Sequence, residues 1–217
     1  MHHSWFSSVG DSLGALDPHC GGDVNSHCWG LGRVAKGGAG TTDVKKLGRI
    51  PPGGGWRIHG RRRRPSLRRG LGYAFLHTAL DDHSRLAYSE LLADDDKETA
   101  AAFWLRANAY FTGCGITVRR VLTDNGNCYR SFAFRDALGG IAHKRTRPYR
   151  PQTNGKVERF HRTLADEWAY ATAYDSDAER AAAYPAWLHR YNHHRGHTAL
   201  GGRPPASRVT NLSGQYS

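Results

Sequence analysis

From Tyr73 onward, segments typical of β-strands come first, and segments typical of helices and strands then alternate. Tyr73–Leu80 and Arg85–Leu92 flank the turn residues Asp81–Ser84, a pattern that predicts a β-hairpin. Further strands are predicted at 117–122 and 141–144, and helices at 97–112, 131–138, 155–171 and 177–192. In the first of these helices we expect Ala101, Trp104, Leu105 and Ala109 to share the buried face. This order of elements predicts an α/β fold with a mixed sheet flanked by helices.

The part of the chain before this regular region divides into an irregular segment and one short strand. Residues 1–42 show neither helical nor strand periodicity, so we expect an irregular N-terminal segment that is disordered or unrelated to the core. Thr42 to Ile50 is short enough for a single strand. We therefore predict an irregular segment over 1–42, a core domain over 43–195 and a C-terminal tail over 196–217.

The charge of the chain indicates a polyanionic partner. The formal net charge is +12, and the first 42 residues hold two basic and three acidic side chains, so residues 43–217 carry +13. Such a balance favours nucleic acid or an acidic membrane surface. No apolar run approaches the roughly 18 residues that a membrane span needs. The sequence has no signal-peptide pattern, and its four cysteines do not suggest a disulfide scaffold, so we expect a cytoplasmic protein with reduced thiols.

Three acids are candidates for metal-dependent chemistry. Asp124 ends a predicted strand, Glu158 lies in the first turn of a predicted helix, and Asp43 is inside a predicted strand. Each has a structural explanation by itself: turn chemistry, the helix dipole and an edge-strand charge, respectively. Together they supply the oxygen ligands that Mg²⁺ prefers, and paired ions can activate the attacking oxygen and stabilise the leaving oxygen at a phosphodiester. Asp81-Asp82 is the alternative to Asp43 as the first acid.

Several separate motifs resemble those of one family. Thr123-Asp124-Asn125-Gly126 and the run Arg147 to Arg159 closely resemble the catalytic core of retroviral-type integrases and DDE transposases. Asp43 to Ile50, Leu80 to Arg85 and Leu200 to Pro205 resemble the bacterial insertion-sequence branch of that family.

The resemblance implies an RNase H-like fold, with Asp43, Asp124 and Glu158 as catalytic residues that hold two Mg²⁺ or Mn²⁺ ions. It implies DNA cleavage by water, followed by attack of the freed 3′-hydroxyl on target DNA. The implied partners are transposon ends and target DNA, the active form is a homo-oligomer, and the location is the bacterial cytoplasm at the nucleoid. The alternatives are an inactive DNA-binding remnant of a mobile element and an RNase H-like nuclease that cuts without joining.

Basic and polar residues around these acids are predicted to contact DNA. Arginine and lysine bind phosphates, and aromatic side chains among them suit splayed strands. The predicted DNA-binding residues are Lys45, Lys46, Arg61, Arg62, Arg63, Arg64, Lys144, Arg145, Arg147, Tyr149, Arg150, Asn154, Lys156, Arg159 and Arg162.

Overall fold

The computed structural model describes residues 38–60, 71–146 and 154–209. Five strands alternate with helices along this part of the chain. The strands are β1 (Gly38–Gly48), β2 (Tyr73–Asp81), β3 (Ala87–Leu92), β4 (Val118–Thr123) and β5 (Ala142–Arg145). The helices are α1 (Trp56–His59), α2 (Lys97–Gly113), α3 (Phe132–Leu138), α4 (Gly155–Leu164), α5 (Asp177–Ala182) and α6 (Tyr184–His193). A π-helical turn, Ala165–Ala169, follows α4, and 3₁₀ turns occupy Cys128–Arg130, Thr198–Leu200 and Pro205–Arg208.

The five strands form one mixed sheet in the order β3-β2-β1-β4-β5. The hairpin partners β2 and β3 are antiparallel, and β2 is also antiparallel to β1. On the other side β4 lies parallel to β1, and β5 lies parallel to β4. The first strand is therefore the central one. This mixed sheet flanked by helices confirms the predicted fold class.

Hydrophobic side chains cover both faces of the sheet. One cluster joins Phe103, Trp104 and Phe111 of α2 to Phe134 of α3 and to sheet residues such as Val121. The second cluster is built from alternate positions of β2 and from the C-terminal helices; its fully or largely buried members include Leu76, Leu80, Phe160, Trp168 and Trp187. Strand side chains alternate between faces, so β2 contributes Ala79 to one cluster and Leu80 to the other.

The predicted strands and helices lie close to their expected positions, but the buried face of α2 is not the one that we predicted. Ala101 and Trp104 are buried as expected, whereas Leu105 is 56% exposed and Ala109 is also exposed. The buried stripe instead contains Ala100, Phe103, Ala107 and Phe111. The prediction for Leu105 and Ala109 was wrong because α2 is oriented so that its large aromatic side chains pack against the sheet, which leaves these two residues on the solvent side.

The sheet and the buried core extend beyond the predicted bounds of the core domain, 43–195, at both ends. β1 begins at Gly38, five residues before Asp43, so the end of the predicted irregular segment belongs to the sheet. Leu200, Ala206 and Val209, which we assigned to the C-terminal tail, are buried. Residues 1–37 lie outside the described residues, and the domain bounds stay predictions.

Asn192 of α6 closes part of the edge of the sheet. Its side-chain amide donates to the carbonyl of Ala87 at 2.8 Å, and its side-chain oxygen accepts from the N–H of Ala87 at 2.9 Å. β3 is an edge strand, so Ala87 is paired with Leu80 of β2 on one side only, and these two bonds satisfy its backbone on the outer side. Among the described helices, none combines the length and apolar character needed to cross a membrane.

Candidate active site

Asp43 lies in the central strand of the sheet. Its Oδ1 accepts a hydrogen bond from the N–H of Val44 at 2.9 Å. Burial raises the pKa of Asp43 to about 7, with further contributions from the negative charges of Asp124 and Glu158. β1 is the central strand, but its pairing with β4 ends at Thr42, so Asp43 is paired only with Thr78 of β2 and its other side is open toward α4.

Asp124 follows β4 directly and lies beside the first acid. Thr42 of β1 is paired with Thr123, the last residue of the parallel strand β4. Asp43 and Asp124 come directly after these two residues, so the two acids lie at the same level along the sheet. Asp124 Oδ1 accepts from the N–H of Gly126 at 2.8 Å, which closes a tight turn. A Cβ at Gly126 would lie 2.9 Å from that Oδ1, so a larger residue at this position would displace the carboxylate of Asp124.

Glu158 is supplied by α4, which packs across the sheet. Val157, Phe160 and Leu164 are buried, and Phe160 and Leu164 belong to the second hydrophobic cluster, whereas Glu158 is exposed. Its charge contributes to the raised pKa of Asp43. The two acids line one pocket of about 450 Å³ between β1 and α4.

The structure thus places Asp124 and Glu158 close enough to Asp43 for their charges to affect it, although the three acids come from different parts of the chain. Their chemistry fits hard divalent cations, because all three offer carboxylate oxygens and Asp43 is a half-buried carboxylate beside like charges. A bound cation would offset that unfavourable charge. In the described residues, no three His, Cys, Asp or Glu side chains are placed closely enough to hold one ion together.

The alternative acids, Asp81 and Asp82, serve local structure. Asp81 Oδ2 accepts from both the backbone N–H and the hydroxyl of Ser84 at 2.7 Å, which fixes the hairpin turn. Asp82 accepts from the hydroxyl of Thr41 at 2.9 Å and pairs with Lys156 at 3.1 Å. These contacts connect the hairpin to β1 and to the start of α4.

The predicted DNA-binding residues fall into four groups, the last of which surrounds the end of β4. Lys45 and Arg162 line the pocket, and neither forms an ion pair within the described ranges. Lys46 pairs with Asp95 at 3.0 Å, and Lys156 pairs with Asp82. Outside the described residues lie Arg61, Arg62, Arg63, Arg64, Arg147, Tyr149 and Arg150.

The remaining predicted contacts surround the end of β4. Lys144 and Arg145 are exposed on β5, and Arg145 is paired with Thr123, the residue before Asp124. Arg159 is exposed on α4, while Asn154 is buried immediately before that helix. Basic side chains therefore approach the acids from β1, β5 and α4.

Sequence reasoning missed His161. This residue lies on α4 one turn after Glu158 and lines the same pocket. Its Nδ1 is 3.5 Å from Asp43 Oδ2, and burial lowers its pKa to about 3, with a smaller effect from Lys45. The ring is therefore neutral, and the contact with Asp43 is not an ion pair. The available signal was the three-residue spacing from Glu158, which places both side chains on adjoining parts of one helical face.

Comparisons with known proteins agree with this arrangement. Sequence profiles of the Integrase core domain match residues 41–151 and 139–205. The catalytic core domain of BIV integrase is similar in structure, with a TM-score of 0.52 and 19% identity over 82% of this chain and 96% of that one. A chain of the simian T-cell lymphotropic virus intasome, solved with the PP2A regulatory subunit B56 gamma, gives a TM-score of 0.56 and 18% identity over 86% of this chain and 60% of that one.

A mixed five-stranded sheet with this strand order and helical cover is the RNase H-like fold of integrase cores. The chain belongs to the Integrase core domain family.

Proposed function

We propose that this chain is the catalytic core of a bacterial insertion-sequence transposase, which cleaves DNA and transfers the cut strand with the help of two divalent metal ions. One observation carries the proposal: a half-buried Asp43 on the central strand lies close enough to Asp124 and Glu158 for their charges to raise its pKa. The wide spacing of these residues in the sequence makes such a meeting improbable for acids of purely local structural use. Membership of the integrase core family supports the same reaction class.

Each part of the pocket has a distinct task in the proposed reaction. Asp43, Asp124 and Glu158 would hold Mg²⁺ or Mn²⁺, which activates the attacking oxygen and stabilises charge on the phosphodiester. Lys45 and Arg162 provide positive charge at the pocket for backbone phosphates. Water attacks first and frees a 3′-hydroxyl, and this hydroxyl then attacks target DNA. The energy of the broken phosphodiester is retained in the new one, so no covalent protein–DNA intermediate is required.

A plasmid assay with the full chain tests this proposal. We expect Mg²⁺-dependent nicking of supercoiled DNA and covalent joining of a labelled oligonucleotide with a free 3′-hydroxyl. Asp124→Asn and Glu158→Gln should each reduce both products by about 10³-fold, because loss of several kcal/mol of metal stabilisation has that effect on rate. Asp136→Asn is the matched control, since Asp136 is exposed and pairs only with Arg135 among the described contacts.

The same assay separates the alternatives. Nicking without joining would identify a nuclease and contradict the transposase proposal. DNA binding without either product, in both Mg²⁺ and Mn²⁺, would identify an inactive remnant.

We also propose that transposon ends and target DNA are the substrates, and that the active form contains several copies on DNA at the bacterial nucleoid. The structural similarity to a chain of a viral intasome supports assembly on DNA. Sedimentation of the protein with and without branched DNA measures the assembly.

Lys45 should matter more for DNA binding than its neighbour Lys46. Both lysines line the pocket, but Lys45 has no ion pair among the described residues, whereas Lys46 is held by Asp95 at 3.0 Å. Lys45→Ala should therefore lower the slope of log K against log salt by about 0.9, the value for one phosphate contact on duplex DNA. Lys46→Ala is the control, and fluorescence anisotropy is the measurement. Equal slopes for both variants would show that Lys45 contacts no phosphate.

A further inference from the structure

The carboxylate of Asp82, in the turn between β2 and β3, bonds to residues that lie just before two of the site acids. Its Oδ1 accepts from the hydroxyl of Thr41 at 2.9 Å, and Thr41 lies two residues before Asp43 on β1. Its Oδ2 is 3.1 Å from Nζ of Lys156, which lies two residues before Glu158 on α4. One side chain therefore connects the strand that carries Asp43 to the helix that carries Glu158.

The strand side of this connection is rigid. Side chains two residues apart on a strand share a face, so the buried Thr41 points to the same side of the sheet as Asp43. The backbone N–H of Asp82 donates to the carbonyl of Ala39 on β1 at 2.8 Å. Arg85, with a φ of 67°, lies in the left-handed region, and its guanidinium donates to the carbonyl of Asp82. A non-glycine residue keeps that conformation only where its surroundings fix it, so the turn is a firm support for Asp82.

The helix side depends on Lys156. Ser131 and Ser176 cap α3 and α5 with their hydroxyls, whereas no side chain in the part of the chain that the structure describes caps α4. An uncapped first turn has N–H groups without helical partners and is easily frayed. Glu158 belongs to this turn. The ammonium of Lys156 also donates to the backbone carbonyl of Asp82 at 3.3 Å, so two polar contacts with one residue hold the turn.

We propose that Asp82 is a positioning residue, which sets the separation of Asp43 and Glu158 through its contacts with Thr41 and Lys156. The inference rests on the proposed function only in that both acids serve the reaction. Two ions at a phosphodiester need a spacing of about 3.5–4 Å, so a small shift of α4 relative to β1 should disturb the reaction. The task of Lys156 is then to hold the helix, and its charge is not available to a DNA phosphate.

Hydrogen exchange followed by mass spectrometry tests the proposal on the metal-free full chain, without any need for activity. Asp82→Asn keeps an oxygen for Thr41 but removes the charge that binds Lys156, and Lys156→Met removes the other partner. Each change should make peptides from the start of α4 exchange about 5-fold faster while peptides from α2 keep their rates. Glu167→Gln is the matched control, because Glu167 pairs with Arg195 at 2.8 Å beyond the opposite end of α4 and should not affect the first turn.

Plasmid nicking then separates positioning from DNA binding. Asp82→Asn and Lys156→Met should each lower the rate at saturating DNA by about 10–100-fold, the effect of a misplacement of about 1 Å. The DNA concentration at half-maximal rate and the salt dependence of binding should stay nearly unchanged. The double variant should be no slower than the slower single variant, because both changes break the same contact. Lys156→Arg, which keeps the ion pair, should recover most of the rate.

The outcomes distinguish this inference from the proposed function. Wild-type exchange at the start of α4 in both single variants would overturn the role of Asp82, whatever the activity. Faster exchange in α2 as well, in the surface variant Lys156→Met, would show a general loss of stability and would also overturn it. So would a reduced salt slope with a normal saturated rate in Lys156→Met, or losses that add in the double variant. A wild type that does not nick DNA would contradict the proposed function, while the exchange rates would still decide whether Asp82 holds α4.

Discussion

Asp43→Asn should remove metal-dependent DNA cleavage while making the metal-free protein more stable at pH 8. Loss of one carboxylate ligand should reduce the cleavage rate by about 10³-fold or more, from several kcal/mol of lost metal stabilisation. Asparagine keeps an oxygen for the N–H of Val44 but carries no charge, so the variant avoids burying a carboxylate beside Asp124. Plasmid nicking measures the first effect, and urea unfolding in EDTA measures the second.

The stability effect should depend on pH in a defined direction. The pKa of Asp43 is about 7 in the folded protein against 3.8 for an ordinary aspartate, so the folded state holds this proton more tightly. Its contribution to stability is complete below pH 4 and is lost as the pH rises to 7, by up to about 4 kcal/mol at 1.36 kcal/mol per pKa unit. The difference between Asp43→Asn and wild type should therefore grow between pH 4 and pH 7 and level off above pH 7.

Divalent metal provides the control for this explanation. Mg²⁺ should stabilise the wild type at pH 8, where Asp43 is ionised, and should have much less effect on Asp43→Asn. A variant that is less stable than wild type at pH 8 in EDTA would contradict the view that the charge of Asp43 is costly in the metal-free fold.

Phe160→Ala should destabilise the protein by about 3–5 kcal/mol, the usual cost of removing a buried aromatic side chain. Phe160 is almost fully buried, and its ring makes edge contacts with Trp187 and Tyr191 at centroid distances of 5.7 and 4.9 Å. These contacts hold α4 to α6, so the change should also displace Glu158 and lower activity in the protein that remains folded. A misplacement of about 1 Å can cost 10²-fold in rate.

Phe132→Ala is the matched control for that experiment. Phe132 is 76% exposed, so its removal should change the free energy of unfolding by less than about 0.5 kcal/mol. Chemical unfolding of both variants provides the comparison. Similar losses in the two proteins would mean that α4 is not held by the cluster around Trp187.

The order of elements could be predicted from the sequence because local signals govern it. The hairpin at Asp81–Ser84 and the strand before Asp124 are both set by turn residues that follow β-branched or aromatic runs. The buried face of α2 could not be predicted, because apolar residues lie around most of this helix and the sheet selects Phe103 over Leu105.

At the site, too, the residues that belong to sequence motifs could be predicted, whereas contacts between distant parts of the chain could not. The family resemblance indicated Asp43, Asp124 and Glu158, and the structure brings them together, while their catalytic roles stay predictions. Pairing of Lys46 with Asp95 depends on the loop before α2 reaching β1, which no local pattern records. The environment of His161 includes Thr78, which lies 83 residues earlier on β2, so this contact could be found only from the structure.

The bonds between Asn192 and Ala87 have a consequence for how copies of this chain can associate. At one end of the sheet, those bonds occupy backbone groups that an added strand would need. At the opposite end, β5 carries the exposed cations Lys144 and Arg145, which disfavour pairing with an identical strand. These two features make edge-to-edge pairing of copies through the described sheet less favourable. An assembly of copies of the kind proposed above would then use other surfaces of the chain.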